Sequence, residues 1–250
     1  MNHKTKGIRQ YIKKLLQFVG LYQFLKFLID YGLFERKKYC STLFRADTSS
    51  FFIRRYHGYQ GHKADSKTGN LGYGAIHYSL INITNPERVL CVGSYKGFIP
   101  AICTLACRDN NRGMVDFVDA GYDSEDENDW GGEGVWRECN PVEYFKPFHL
   151  DKYLKLHVMK SDEFAKKFPE KKFEYIYIDG DHSYEGVKAD FEAFWPKLTE
   201  GGLILFHDIA MKGLHHGKEF GVWKLWQELS DKNQFSFING YESLGIIQKN

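Results

Sequence analysis

The sequence predicts an α/β protein built on an open, doubly wound, mostly parallel sheet, with a helical extension at its N-terminus. Three observations predict it. Tyr175, Ile176, Tyr177 and Ile178 form a β-branched and aromatic run that leads straight into Asp179, Gly180, Asp181 and His182. Such a run fits a central strand buried on both faces, and the groups after it are costly to bury unless they serve a purpose. The same event recurs where Leu203 to Phe206 end in His207 and Asp208. From Pro86 onward, apolar strand-like runs alternate with helix-like stretches, the pattern of right-handed β-α-β crossovers.

The elements follow in order. Residues 4 to 34 read as a basic amphipathic helix carrying Ile8, Ile12, Leu15, Leu16, Val19 and Leu25 on its apolar side. Lys26 and Asp30 make it too polar to span a bilayer comfortably. Two roles stay open for it: a helix packed on the main domain or on a second copy of the chain, or a surface helix resting on an anionic membrane. Residues 39 to 70 mix aromatic and basic groups (Phe51, Phe52, Arg54, Arg55, Tyr56, His57, Tyr59, His62), which suits either a strap over the core or the lining of a polar pocket. A helix is expected over Tyr73 to Ile83. Strands follow at Arg88–Val92, Met114–Asp119, Tyr153–Met159, Phe173–Ile178 and Gly202–Phe206, with helices at Phe98–Cys107, from Ser161, at Tyr184–Leu198 and at Glu219–Leu229. Phe235–Ile238 and Leu244–Gln248 close the chain as an antiparallel pair. The acidic, glycine-rich stretch from Gly121 to Gly134 reads as a solvated loop. Two regions result: residues 1–69, the basic helix and a substrate-side extension, and residues 70–250, the main domain.

Composition narrows the function classes. A net charge of +2 over 250 residues gives no global argument for a nucleic-acid partner. Residues 1 to 38 carry +7, which leaves −5 for the rest. Five cysteines without C-x-x-C spacing point to a reduced, cytoplasmic protein with no zinc site; Cys103 and Cys107 share one helix face as small core residues. There is no cleavable signal pattern.

The chemistry sits at the strand ends. Gly93-Ser94-Tyr95-Lys96-Gly97 lies between a strand and a helix, where glycines allow a sharp turn and a close approach to free helix N–H groups. Asp119 ends the next strand, where a carboxylate can take ribose hydroxyls. Together they point to a nucleoside-type cofactor.

These features, with Y-I-D-G-D-H-S-Y-E-G-V and P-K-L-T-E-G-G-L-I-L-F-H-D, resemble a class I S-adenosylmethionine-dependent methyltransferase over roughly residues 70 to 250. The group resembled holds macrocin O-methyltransferase and cephalosporin hydroxylase-like proteins, with catechol O-methyltransferase more distant. The resemblance implies a Rossmann-like seven-stranded sheet whose last strand is antiparallel. It gives Gly93, Ser94 and Gly97 to the methionine end of the cofactor, Asp119 to the ribose, and Ser161 and Asp162 to the adenine, with Asp181 also on the cofactor side. Asp179 and Asp208 match divalent-cation ligands, and His207 falls at a third ligand position that is usually acidic. His182 matches the general base, working beside Asp179. Mg²⁺ or Mn²⁺ would lower the pKa of an acceptor hydroxyl, and an imidazole can take its proton. The expected acceptor is a small molecule or glycan bearing a sugar hydroxyl.

Two residues depart from the pattern. Cys91 stands where relatives carry an acid, which keeps open a non-catalytic, scaffold-type alternative. His207 replaces a carboxylate; the Asp179/His207/Asp208 content also admits a metal-dependent oxygenase, though no jelly-roll pattern accompanies it. His215, His216 and Lys218 form a loop that either reaches the substrate or lies on the surface. Trp130 and Trp136 are expected in packing, with a capping place over the pocket as the alternative.

Overall fold

The computed structural model describes residues 46–58, 61–123, 125, 130, 132–215 and 217–250. The expected helix over residues 4 to 34, with its membrane or partner contact, and Cys40 lie outside the described residues.

The sheet forms from β1 (Arg88–Val92), β2 (Met114–Asp119), β3 (Leu154–Val158), β4 (Phe173–Ile178), β5 (Leu198–His207), β6 (Gln234–Asn239) and β7 (Glu242–Gln248). Their spatial order is β3-β2-β1-β4-β5-β7-β6. β1 to β5 are parallel to their neighbours among themselves, and β7 runs antiparallel to both β5 and β6. The seven-stranded, mostly parallel sheet with an antiparallel last strand is therefore as expected. The order reverses between β1 and β4, and the two strands open a crevice at their carboxyl ends.

Strand alternation distributes the core to two faces. Val89, Cys91, Tyr175, Tyr177 and Leu205 pack with α1 (Ala46–Tyr56), α2 (Tyr73–Thr84) and α3 (Phe98–Asp109) through Phe52, Ile53, Ile81, Ile99 and Cys103. Leu90, Val92, Ile176, Ile178 and Ile204 pack with α6 (Ser161–Lys167), α7 (Tyr184–Phe194) and α8 (Val222–Glu228) through Phe164, Val187, Phe194 and Leu225. Between β2 and β3 lie two short helices, α4 (Val135–Glu138) and α5 (Pro141–Phe145). Cys91, Cys103 and Cys107 are buried free thiols, as the sequence suggests.

Several boundaries differ from expectation. α7 stops at Phe194 rather than Leu198, and Trp195–Lys197 tighten into a 3-10 turn, because Pro196 has no N–H to continue an α-helix. The expected helix at Glu219–Leu229 begins only at Val222, since Lys218–Glu219 pair with Leu214–His215 in a small hairpin. α1 falls within a region left unassigned by the sequence, and it joins the same core as α3 rather than standing apart. Among the described residues, no helix is long and apolar enough to cross a membrane.

Candidate active site

The crevice opens into a cavity of about 390 Å³, lined by residues that include Gly93, Ser94, Asp119, Ser161, Asp162, Asp179, Asp181 and His182. Eight of the residues singled out from the sequence thus meet at one place. Gly97 does not line it. It holds the left-handed turn before α3 (φ 82°), and a Cβ there would press on Trp136 and Phe145. Its role is to let the helix start beneath those rings. Gly93 is the tighter constraint: its φ is 68°, and a Cβ would sit 2.3 Å from the Asp179 carbonyl oxygen. The glycine allows the β1 turn to press against the end of β4, so the two ligand-binding strand ends share one wall.

Asp119 ends β2 with its Oδ1 accepting from the Gly121 N–H at 2.8 Å. Burial pushes its carboxyl up to about 6, against that hydrogen bond and with the Asp179 charge adding to the rise. A buried carboxylate with spare lone pairs calls for hydroxyl donors. Ser94 is buried too, and its hydroxyl has no hydrogen-bond partner. Ser161 and Asp162 start α6, where Asp162 is paired with Lys166 at 2.8 Å. Asp181 Oδ1 accepts from the Ser183 N–H at 2.8 Å and from Trp130 Nε1 at 3.0 Å, so it both shapes the α7 entry and holds Trp130 at the mouth.

Behind Asp179 and His182 lies a charged cluster whose other expected members, His207 and Asp208, do not line the cavity but stand against those two residues. Tyr177 donates its hydroxyl to Asp179 Oδ2 at 2.9 Å, which turns Oδ1 toward two histidines. His182 Nε2 is 3.3 Å from Asp179 Oδ1, and its Nδ1 is 3.7 Å from Asp208 Oδ2. His207 Nδ1 stands 3.1 Å from Asp179 Oδ1 and 3.3 Å from Asp208 Oδ1. Its other nitrogen donates to the Gly61 carbonyl at 2.7 Å, and its ring lies 4.8 Å from that of His62. That donation fixes the proton on Nε2, so Nδ1, facing two carboxylates, is the position that must carry a second proton or a cation. Burial works against charge on both His207 and Asp179. Even so, the two carboxylates hold the His207 imidazole well above its ordinary value, and His207 with His182 holds Asp179 well below the carboxylate range. Nδ1 of His207 and Oδ1 of Asp208 have close neighbours but no aligned hydrogen bond, and both are buried. Such a set needs a positive charge at its centre, either a proton on Nδ1 or a cation.

The donor atoms fit a divalent metal. Asp179, His182 and His207 each offer one ligand atom, and these atoms all lie within 4.8 Å of one another. This trio has His182 where the resemblance gives Asp208. Asp208, backed by a left-handed φ of 57° and a backbone bond from its N–H to Ser243 O at 2.9 Å, lies against both histidines instead. Imidazole donors shift the preference from Mg²⁺ toward Mn²⁺, Fe²⁺ or Zn²⁺.

Two contributors escape the sequence reading. Asp190 lines the cavity from α7, almost fully buried; burial, with Asp181 and Asp162 adding to it, pushes its carboxyl up to about 7 while Ser161 opposes. Its signal is an acid on the apolar face set by Val187 and Phe194. The other is the Gly61 carbonyl, which no side-chain pattern betrays. Trp130 is in the wall, as the capping alternative had it, with His182 at 5.4 Å, Phe220 at 5.2 Å and His215 stacked at 6.3 Å between ring centres. Trp136 donates to Tyr95 O at 2.8 Å and packs flat on Phe145.

Residues 90–209 match the family model described as "Methyltransferase domain". That stretch is similar to a methyltransferase domain, and the sheet order is that of the O-methyltransferase fold. Among solved structures, the O-methyltransferase from Bacillus cereus in complex with SAH superposes with a TM-score of 0.55 at 14% identity, covering 90% of this chain and 96% of that one. TomG from Streptomyces achromogenes, an O-methyltransferase of tomaymycin synthesis in complex with SAM, gives 0.55 at 12%, covering 89% and 95%. The SAH-bound methyltransferase PaMTH1 from Podospora anserina gives 0.56 at 13%, covering 91% and 96%. At these identities the likeness is one of fold. The curated relative matched is the uncharacterized protein y4gI of Sinorhizobium fredii, 25% identical over 174 residues; these are 68% of this chain but only 18% of that protein's length.

Proposed function

We propose that the chain transfers a methyl group from S-adenosylmethionine to a hydroxyl oxygen of a sugar-containing molecule, with help from a divalent cation. The observation that carries this reading is the convergence, in one cavity, of a buried nucleoside-side carboxyl with spare lone pairs (Asp119) and the Asp179–His182 edge of an acid–imidazole cluster able to hold a cation and take a proton.

S-Adenosylmethionine, when bound, supplies an electrophilic methyl group on a sulfonium. A cation held by Asp179, His207 and Asp208 would supply Lewis acidity to an acceptor hydroxyl and leave His182 free to act as base. The remaining work belongs to the chain. Asp119 accepts from ribose hydroxyls, and Ser94 offers its free hydroxyl at the β1 turn. Asp162 and Asp190 flank the adenine end. Tyr177 keeps Asp179 turned toward the histidines. His182 takes the hydroxyl proton at a ring nitrogen, leaving the new charge between Asp179 and Asp208. The faces of Trp130 and Phe220 beside His182 support a sugar acceptor, whose C–H faces lie well on aromatic rings. The buried free thiols support a reducing, cytoplasmic setting. Cys91 no longer favours a scaffold role: it is fully buried toward Cys103 and is not part of the cavity wall, so its identity says nothing about the pocket.

Calorimetry with S-adenosylhomocysteine tests the reading. Binding is expected, and at a hundredfold excess over Kd it stabilises the fold by about 2.7 kcal/mol. Methyl transfer to a sugar hydroxyl should fall on chelation and recover with Mn²⁺. His182→Ala should lower kcat by about 10²- to 10⁴-fold with cofactor affinity retained. No cofactor binding in the wild-type protein overturns the proposal.

A further inference from the structure

Resting on that reading, we propose that Glu133 and Lys96 recognise the amino-acid end of the cofactor, Glu133 taking its ammonium group and Lys96 its carboxylate.

The methionine end of S-adenosylmethionine is a zwitterion, so its site must present both signs of charge close together. The β1 turn does so at the edge of the cavity, where Lys96 stands beside the lining residues Tyr95 and Glu133. Lys96 Nζ lies 2.7 Å from Glu133 Oε2, and the Tyr95 hydroxyl bonds to the other Glu133 oxygen. Tyr95 and Glu133 both line the cavity. The Lys96 side chain is 17% exposed and folds over the Tyr95 ring at 5.0 Å, whereas Glu133 is 52% exposed and reachable from the opening. Each partner reinforces the other's charge: Lys96 lowers the Glu133 carboxyl, and Glu133 raises the Lys96 ammonium.

A second observation points to a ligand at the same turn. Ser94 is 3% exposed, lines the cavity, and has no partner for its hydroxyl. Cys91, one strand residue back, is fully buried in the core with Cys103 and gives no charge to this wall. Glu133 comes instead from the stretch between β2 and α4. An arriving zwitterion exchanges one ion pair for two, so neither buried nor half-buried charge loses its counter-ion. The site therefore suits an α-amino acid head and gives nothing to a ligand lacking one.

Calorimetry of the full chain with two probes isolates this. S-Adenosylhomocysteine carries the amino-acid end; 5′-methylthioadenosine has the same nucleoside and sulfur without it. The wild type should prefer the former. Glu133→Gln and, separately, Lys96→Gln should each weaken S-adenosylhomocysteine by about tenfold and leave 5′-methylthioadenosine unchanged. Cys91→Ser should change neither. Equal weakening of both probes marks a structural role and overturns the assignment, as does unchanged S-adenosylhomocysteine affinity in the Glu133 variant. If the wild type binds neither probe, the methyltransferase reading itself falls and takes this inference with it.

Discussion

Asp119 carries opposite demands within one side chain. Its carboxyl is pushed up to about 6 because burial removes water and Asp179 adds negative charge, with the backbone N–H groups of Gly121 and Ser94 in opposition. A raised acid binds its proton more tightly in the folded state, so it costs stability as the pH climbs from the ordinary carboxylate value to about 6. Hydroxyl donors from a ligand would offset that cost. Asp119→Asn is therefore expected to melt higher than wild type at pH 7.5 without ligand, to match it near pH 4, and to bind S-adenosylhomocysteine about tenfold more weakly. Wild-type affinity should fall as the pH drops through about 6, and the variant should lack that step; calorimetry across pH reads both. At this scale the sequence was informative wherever a polar group closed a buried strand. Asp119, Asp179, His182, His207 and Asp208 stand out there because nothing about packing asks for them. Asp190 was overlooked, since an acid in an amphipathic helix normally marks the solvent face, although its spacing from Val187 and Phe194 sets it on the apolar one. The Gly61 carbonyl had no chance of being seen, because every residue carries one.

Among the elements, β2 and β3 show how a polar residue can be structural in the same sheet. Asp116 is buried in the middle of β2, with His157 of β3 at 2.8 Å and Lys171 at 2.5 Å. Burial tends to raise its carboxyl, but these two partners win and hold it below the ordinary value. The stability it contributes is present above the unfolded-state value and is lost as the pH falls through the lowered one. Asp116→Asn should cost about 3 kcal/mol in denaturant melts at neutral pH, with the gap to wild type closing in acid. The alternating strand and helix runs made most of the sheet readable. α1 was missed although Ser49, Phe52, Ile53 and Tyr56 repeat at helical spacing; Phe51, Arg54 and Arg55 between them hid the period. The edges of α7 and α8 moved for local reasons, a proline in one case and a hairpin pairing in the other.

Seen as a molecule, the protein brings β1 and β4 together across more than 80 intervening residues. Contacts of such separation form slowly, and the cavity exists only once they have formed. The seven-stranded architecture was legible because two strand ends and one glycine turn determine where its crevice lies. How the segment at Gly61 joins the site was not, because the link is a backbone atom. His207 sits in its tautomer because the Gly61 carbonyl receives its Nε2 proton. A truncation that starts at residue 70, where sequence patterning draws a border, would keep every strand and every acidic group of the pocket. It would also free that imidazole to rotate or to exchange which nitrogen carries hydrogen, so expression boundaries drawn from motif coverage alone would deliver a shell with its innermost donor unmoored.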